Sequence, residues 1–222
     1  RCFCTSLALT LWAQAGEFAN EDGAITINDE APASPDPSIV TVSGVTGIIT
    51  NVRVKLNGFT HTAPDDVDIY LVSPNNDVVA VLSDGGGINS LTNVDLIFDD
   101  NSDVEVPDSD QITELTYIPT DYEPGEPIPS GANSPVRTAL TELAGSGVNG
   151  IWKLYVSDDS TGESGSITSW SLEIESTNTL AATYQTGAEI PLTTTGFDGT
   201  NSTVNFALNY APPLGTKLTV VN

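Results

Sequence analysis

Residues 145–175 read GSGVNGIWKLYVSDDSTGESGSITSWSLEIE, and two runs within them alternate with a period of two. Trp152, Leu154 and Val156 fall on one side of the first run. Trp170, Leu172 and Ile174 fall on one side of the second, opposite Ser169, Ser171, Glu173 and Glu175. Strict alternation of this kind belongs to a half-buried strand. The nine residues between the runs, 157–165, are all turn formers, with three carboxylates and no apolar side chain. The pattern predicts a β-hairpin whose two tryptophans point into a core and whose loop concentrates negative charge.

Upstream, the same period recurs between turn signals. Ala24–Ile27, Ile39–Val42, Ile48–Phe59, Val67–Val72, Val78–Leu82 and Asn93–Phe98 read as strands. In the longest of these, Val52, Val54 and Leu56 face inward. Asn51, Arg53, Lys55 and Asn57 face outward, so two of the chain's six bases are expected against acids of a neighbouring strand. Asp84-Gly85-Gly86-Gly87 reads as a flexible loop. Prolines at 107, 119, 124, 127, 129 and 135 keep central strands out of residues 101–147, and Thr138–Leu143 reads as a short helical turn. Long amphipathic helical patterns are scarce, which predicts an all-β fold.

The ends differ in texture. Residues 1–15 have the form of a signal-peptide remnant: Arg1, a short apolar run and the small-residue pattern Ala13-Gln14-Ala15. Residues 16–37 are expected as an N-terminal linker with one short strand. Residues 176–222 read as a linker followed by an incomplete β-rich module, with strands at Val204–Leu208 and Lys217–Val221. Cys2 and Cys4 are separated by one residue and are expected to be inert.

Thirty acids against six bases give a formal net charge of −24. Nucleic acid and anionic membrane surfaces are thereby excluded as partners, because both require clustered Lys and Arg. No segment is long and apolar enough to insert in a membrane as a helix. Such a charge also opposes compaction, and divalent cations would relieve it.

One family resemblance rests on residues spread over 38–175. Val52–Leu56, His61-Thr62, Asp66-Val67-Asp68, Ile69–Val72, Ser73-Pro74, Phe98-Asp99-Asp100, Asn149-Gly150-x-Trp152 and Gly165-Ser166-Ile167-x-x-Trp170-Ser171-Leu172 follow one another in register. This order resembles the P domain (P/Homo B) that accompanies furin- and kexin-type proprotein convertases, bacterial secreted proteases and surface proteins. The middle, 101–147, departs from the family pattern.

The resemblance implies an antiparallel jelly-roll β-sandwich and a secreted, extracellular or cell-surface setting. It implies a noncatalytic accessory role, stabilising or positioning a neighbouring domain such as a subtilisin-like serine protease. Two other readings stand beside it: a cell-surface or adhesion β-repeat protein with no protease, and a carbohydrate-binding jelly roll. The residues themselves supply no catalytic triad: His61 is the single histidine and no Gly-x-Ser-x-Gly elbow is present. The expected partners are neighbouring domains or other surface proteins. Oligomeric state is not legible in the sequence.

Family members carry calcium at acidic strand ends. Here Asp66, Asp68, Asp99, Asp100, Asp158, Asp159 and Glu163 occupy such positions. Ca²⁺ takes six to eight oxygen ligands, often presented by turns. With no EF-hand spacing, these seven are candidates without a defined ligand set, and a solvated acidic rim is the alternative.

Overall fold

A computed structural model of the chain describes residues 14–144, 147–184 and 202–208. The apolar part of the expected signal remnant, both cysteines and the Lys217–Val221 strand lie outside these residues. The described chain divides into two compact units.

The larger unit, Ala15–Val45 with Ile49–Glu175, is a two-sheet β-sandwich. Its strands are β1 (Gln14–Ala19), β2 (Ile25–Ile27), β3 (Ser38–Val42), β4 (Ile48–His61), β5 (Val67–Val72), β6 (Asp77–Ser83) and β7 (Leu91–Asp99). They are followed by β8 (Thr116–Tyr117), β9 (Thr120–Asp121), β10 (Asn133–Arg137), β11 (Gly150–Asp158), β12 (Gly165–Ile167) and β13 (Ser169–Tyr184). One sheet runs β1-β13-β4-β12-β2, with β7 on β4 and β8 on β7. The other runs β10-β6-β5-β11-β3, with β9 also on β6. Short 3₁₀ turns occupy Pro64–Asp66 and Leu140–Ala144.

The expected hairpin does not form. β11 pairs with β3 and β5 in the second sheet, whereas β12 pairs with β2 and β4 in the first. The acidic segment 159–164 therefore crosses from one sheet to the other. The inward faces are as read from the alternation: Trp152 and Trp170 are both fully buried. They enter one core from opposite sheets, together with Val52, Val54, Leu56, Phe59, Ile69 and Leu71. Each indole N–H is satisfied, Trp152 by the Val148 carbonyl (2.8 Å) and Trp170 by the Ser38 hydroxyl (2.8 Å).

β4 carries its bases on the outer face, as its alternation requires. Arg53 pairs with Asp99, Glu173 and Glu175, and Lys55 with Glu173 (2.6 Å). Asn51 is a correction: expected outside, it is buried and donates to Asp99 Oδ1 (3.1 Å). Within 16–37 the short strand expected at 24–27 is present as β2, and β1 precedes it. Ile25 and Ile27 are fully buried, and β2 pairs with β12 along its whole length.

β5 lies in the middle of its sheet and is buried at all six positions. Val67, Ile69 and Leu71 face the main core. Tyr70 and Val72 join Val78 and Ala80 on the outer side, against Ala132, Val136 and Tyr155. The proline-rich segment thus contributes cover and short edge strands. β10 contains Pro135 and lies at a sheet edge, where a missing N–H is tolerated.

In the smaller unit, residues 176–179, expected as a linker, are assigned to β13. Residues Asn178–Tyr184 pair in parallel with β14 (Ser202–Leu208). The strand read at Val204–Leu208 is present within β14.

Candidate metal centre

The antiparallel registers gather acids at one end of the second sheet. Asp68 lies opposite Ser157 and Val67 opposite Asp158, while Ile69 lies opposite Leu82. The start of β5, the end of β6 and the end of β11 therefore share one end. The Pro64–Asp66 turn, the loop after β6 and the segment after β11 all emerge there.

Three carboxylates meet at this end. Asp68, Asp84 and Glu126 each offer an oxygen, and these oxygens all lie within 4.8 Å of one another. Asp68 is 7% exposed, and the other two are half-buried. Asp84 adopts a left-handed backbone (φ 54°), which Asp tolerates better than most residues, and accepts a hydrogen bond from the Ser83 hydroxyl (2.8 Å). The loop expected to be flexible is pinned. The Gly86 N–H reaches the Pro107 and Asp108 carbonyls (2.7 and 3.0 Å), and a Cβ there would stand 2.9 Å from Ile112 Cδ1 and Pro64 Cγ. That crowding, with φ +97°, reserves the position for glycine.

The electrostatics follow from the crowding. Burial, with the Glu126 and Asp84 charges beside it, pushes the Asp68 carboxyl up to about 8 against the opposing Ser83 hydrogen bond. Burial first, then neighbouring acids, also raises Glu126, Asp66 and Asp159. Such a group accepts a proton or a cation to relieve like-charge repulsion. A cleft of about 370 Å³ opens beside the cluster, bordered by Asp68, Glu126, Asp159, Tyr70 and Tyr155.

Of the seven acids named from the sequence, Asp68 alone is in the three-carboxylate cluster. Asp66, Asp159 and Glu163 surround it at the same end, where Asp66 feels Asp158, Glu163 and Asp159 and Asp159 feels Asp84. Asp158 is 2% exposed and committed to structure. Its Oδ2 lies 3.1 Å from His61 Nε2, and its Oδ1 accepts the Ser160 N–H (3.0 Å). His61 is itself fully buried, with Nδ1 2.8 Å from the Ala63 carbonyl. A Cβ at Gly165 would strike both the His61 ring and the Thr60 carbonyl.

Asp99 and Asp100 have protein partners. Asp99 accepts from Asn51, Arg53 and Asn101, and hydrogen bonds to these groups hold its carboxyl below the usual range although burial opposes them. Asp100 caps the Leu140–Ala144 turn through the Leu140 and Thr141 N–H groups (2.9 and 2.8 Å) and the Thr141 hydroxyl (2.7 Å). Asp84 and Glu126 were not singled out in the sequence. One sits in a glycine run and the other between prolines, and neither spacing announces a ligand.

The chain is similar to the serine protease of Aeromonas sobria at a TM-score of 0.38 and 14% identity, covering 78% of this chain and 28% of that one. It is similar to the same protease in complex with its chaperone at a TM-score of 0.36 and 15% identity, covering 75% and 26%. The chain spans about a quarter of the length of these solved structures. No family model matches it, and no curated protein does.

Proposed function

We propose that this chain is a noncatalytic, P-domain-like accessory module of a secreted or surface protein, with a structural Ca²⁺ held by Asp68, Asp84 and Glu126. The convergence of three hard oxygen donors carries the reading. All three are carboxylates, the donor type Ca²⁺ prefers, and Asp66, Asp159 and Glu163 deepen the negative field around them. The ion would neutralise the cluster and join β5, the loop after β6 and the proline-rich segment. Its chemistry is structural, and the module's role is to steady or position an adjoining domain. The β13–β14 pair beyond Glu175 favours a second reading, a surface protein built from successive β units.

Calcium should raise the melting temperature of the full chain at fixed ionic strength, and chelator should lower it. At calcium 100-fold above its dissociation constant the gain is about 2.7 kcal/mol. Mg²⁺, which demands a tighter octahedral shell, should substitute poorly. Identical melting in Ca²⁺, Mg²⁺ and chelator would reduce the acids to a solvated rim.

The pH dependence has a definite sign. In chelator, folded Asp68 keeps a proton that the unfolded chain has released, so stability falls as pH rises from about 4 towards about 8. With calcium the deprotonated form is captured and that fall is suppressed. A chelator curve that rises over this window would show that the cluster does not hold the proton.

The module should also leave peptide bonds intact. Casein and basic-site peptides should be unchanged after incubation with the chain. Cleavage that co-purifies with the folded protein and disappears in His61→Ala would defeat the noncatalytic reading.

A further inference from the structure

Among the described residues the basic side chains are Arg53, Lys55, Arg137 and Lys153, and all of them lie in strands. Three are closed in from both sides. β4, which carries Arg53 and Lys55, lies between β13 and β12 and also pairs with β7, where Arg53 faces Asp99 and Lys55 faces Ile97. Lys153 sits in β11, opposite Ile39 of β3 and Val72 of β5. An endopeptidase that cuts after a basic residue needs an extended, accessible segment. At these three positions the backbone is freed only when the sandwich opens.

Arg137 is placed differently. It is the last residue of β10, an edge strand with β6 alone among the described strands as its neighbour. β10 is therefore already extended, with one backbone edge turned away from the sheet. Asn133, Ser134, Pro135 and Thr138 are exposed. The register with β6 slips between the two ends of β10, since Asn133 lies opposite Asp77 and Arg137 opposite Val79.

The seat of the Arg137 side chain is weak. Nη2 donates to Asp77 Oδ1 (2.9 Å), and Nη1 lies 3.8 Å from Glu142 Oε2. The side chain is 36% exposed, and ion pairs this open contribute little. Its Nε is buried without a hydrogen-bond partner, a donor that regains water when the side chain swings out. Withdrawal thus breaks one surface ion pair and relieves one orphaned donor.

We infer that the Arg137–Thr138 peptide bond is a processing site for an endopeptidase whose primary pocket takes a basic side chain. Water adds across the bond, leaving a carboxylate on Arg137 and an amine on Thr138. The two pieces stay together. β11 comes from the second piece and lies between β3 and β5 of the first, and β12 from the second lies between β2 and β4. The Trp170–Ser38 hydrogen bond also joins them within the core. The product is a two-chain sandwich. The inference is independent of the cation reading, since it uses none of Asp68, Asp84 and Glu126.

The test incubates the full chain, in calcium-containing buffer, with a trace of trypsin and follows it by intact mass. Only the bonds after Arg53, Lys55, Arg137 and Lys153 are scored. The Arg137–Thr138 bond should be cut at least about a hundredfold faster than the other three, whose cleavage waits on unfolding opposed by an equilibrium constant of about 10³–10⁸. The nicked protein should co-elute with the intact chain in size exclusion and keep its tryptophan fluorescence. Asp77→Asn removes the main partner of Arg137 and should quicken the cut about two- to fivefold, the weight of one surface ion pair. Arg137→Gln should remove the cut without opening another. The cleavage map of the unmodified chain decides the matter whether or not the variants fold. A native chain cut at none of the four bonds, first cuts after Arg53, Lys55 or Lys153, pieces that separate on cutting, or an unchanged rate in folded Asp77→Asn would each overturn the proposal.

Discussion

Replacing Trp170 with alanine should remove about 3–5 kcal/mol of stability, the range for emptying a core site of a large aromatic. The side chain is fully buried in the first sheet, and its loss also strips the Ser38 hydroxyl of the donor that now meets it. Trp152→Ala should cost a similar amount from the opposite sheet. At this domain size each kcal/mol moves the melting midpoint by roughly 2–4 °C. Trp170→Phe separates the two contributions, since it keeps most of the volume and loses the hydrogen bond; about 1–3 kcal/mol is expected. Chemical denaturation of the three variants checks this. An alanine loss below about 1 kcal/mol at either site would contradict the burial described above.

The His61–Asp158 contact should also be costly to break. With the carboxyl removed in Asp158→Ala, the His61 Nε2 faces no partner in a site without water access; with the ring removed in His61→Ala, the Asp158 oxygen is left alone. Either should lose about 1–3 kcal/mol, the cost of leaving a buried polar group without its partner. The double variant His61→Leu/Asp158→Leu should lose less than the sum of the two single leucine changes, by more than about 1 kcal/mol. Strict additivity in a double-mutant cycle would mean that the two residues stabilise the sandwich separately. Gly165→Ala should resemble the single losses, because its Cβ has no space beside that ring.

How much was legible in the sequence follows from what period-2 patterns encode. They assign each strand a buried face, and so Trp152, Trp170, Val54 and Leu56 were placed correctly. They do not say which sheet a strand joins. Two inward-facing runs joined by nine turn residues fit a hairpin and a sheet-to-sheet crossing equally well, and the structure has the crossing. Asn51 shows the limit of alternation: an outward position can be covered when a neighbouring strand end supplies a polar partner, here Asp99.

The acids divide for a similar reason. A carboxylate at a strand end can pair with a base, cap a turn or join a cluster, and the residues beside it in sequence do not decide which. Arg53 lies across a strand from Asp99, and the N–H groups at 140 and 141 lie across a loop from Asp100. Asp84 and Glu126 meet Asp68 only because three separate segments end at one place. The P-domain resemblance drew attention to Asp66 and to Asp68, which lies among the three clustered carboxylates. It was silent on 101–147, where Glu126 and Arg137 are found.

The placement of β11 and β12–β13 has a consequence for how the chain is made. Both sheets have an early strand at their centre, β5 in one and β4 in the other, and each waits for a late partner. The Trp170–Ser38 hydrogen bond joins residues 132 positions apart. During synthesis from the N-terminus, β4 and β5 therefore emerge with an open hydrogen-bonding edge until residues 150–175 arrive. Closing such distant pairings is slow because the intervening chain must be ordered first. An unpaired apolar strand such as β5 invites association with other chains in that interval. Residues 150–175 thus act as the fastener of the sandwich, and a nascent chain halted before Gly150 should associate with itself where the chain extended to Glu175 and beyond does not.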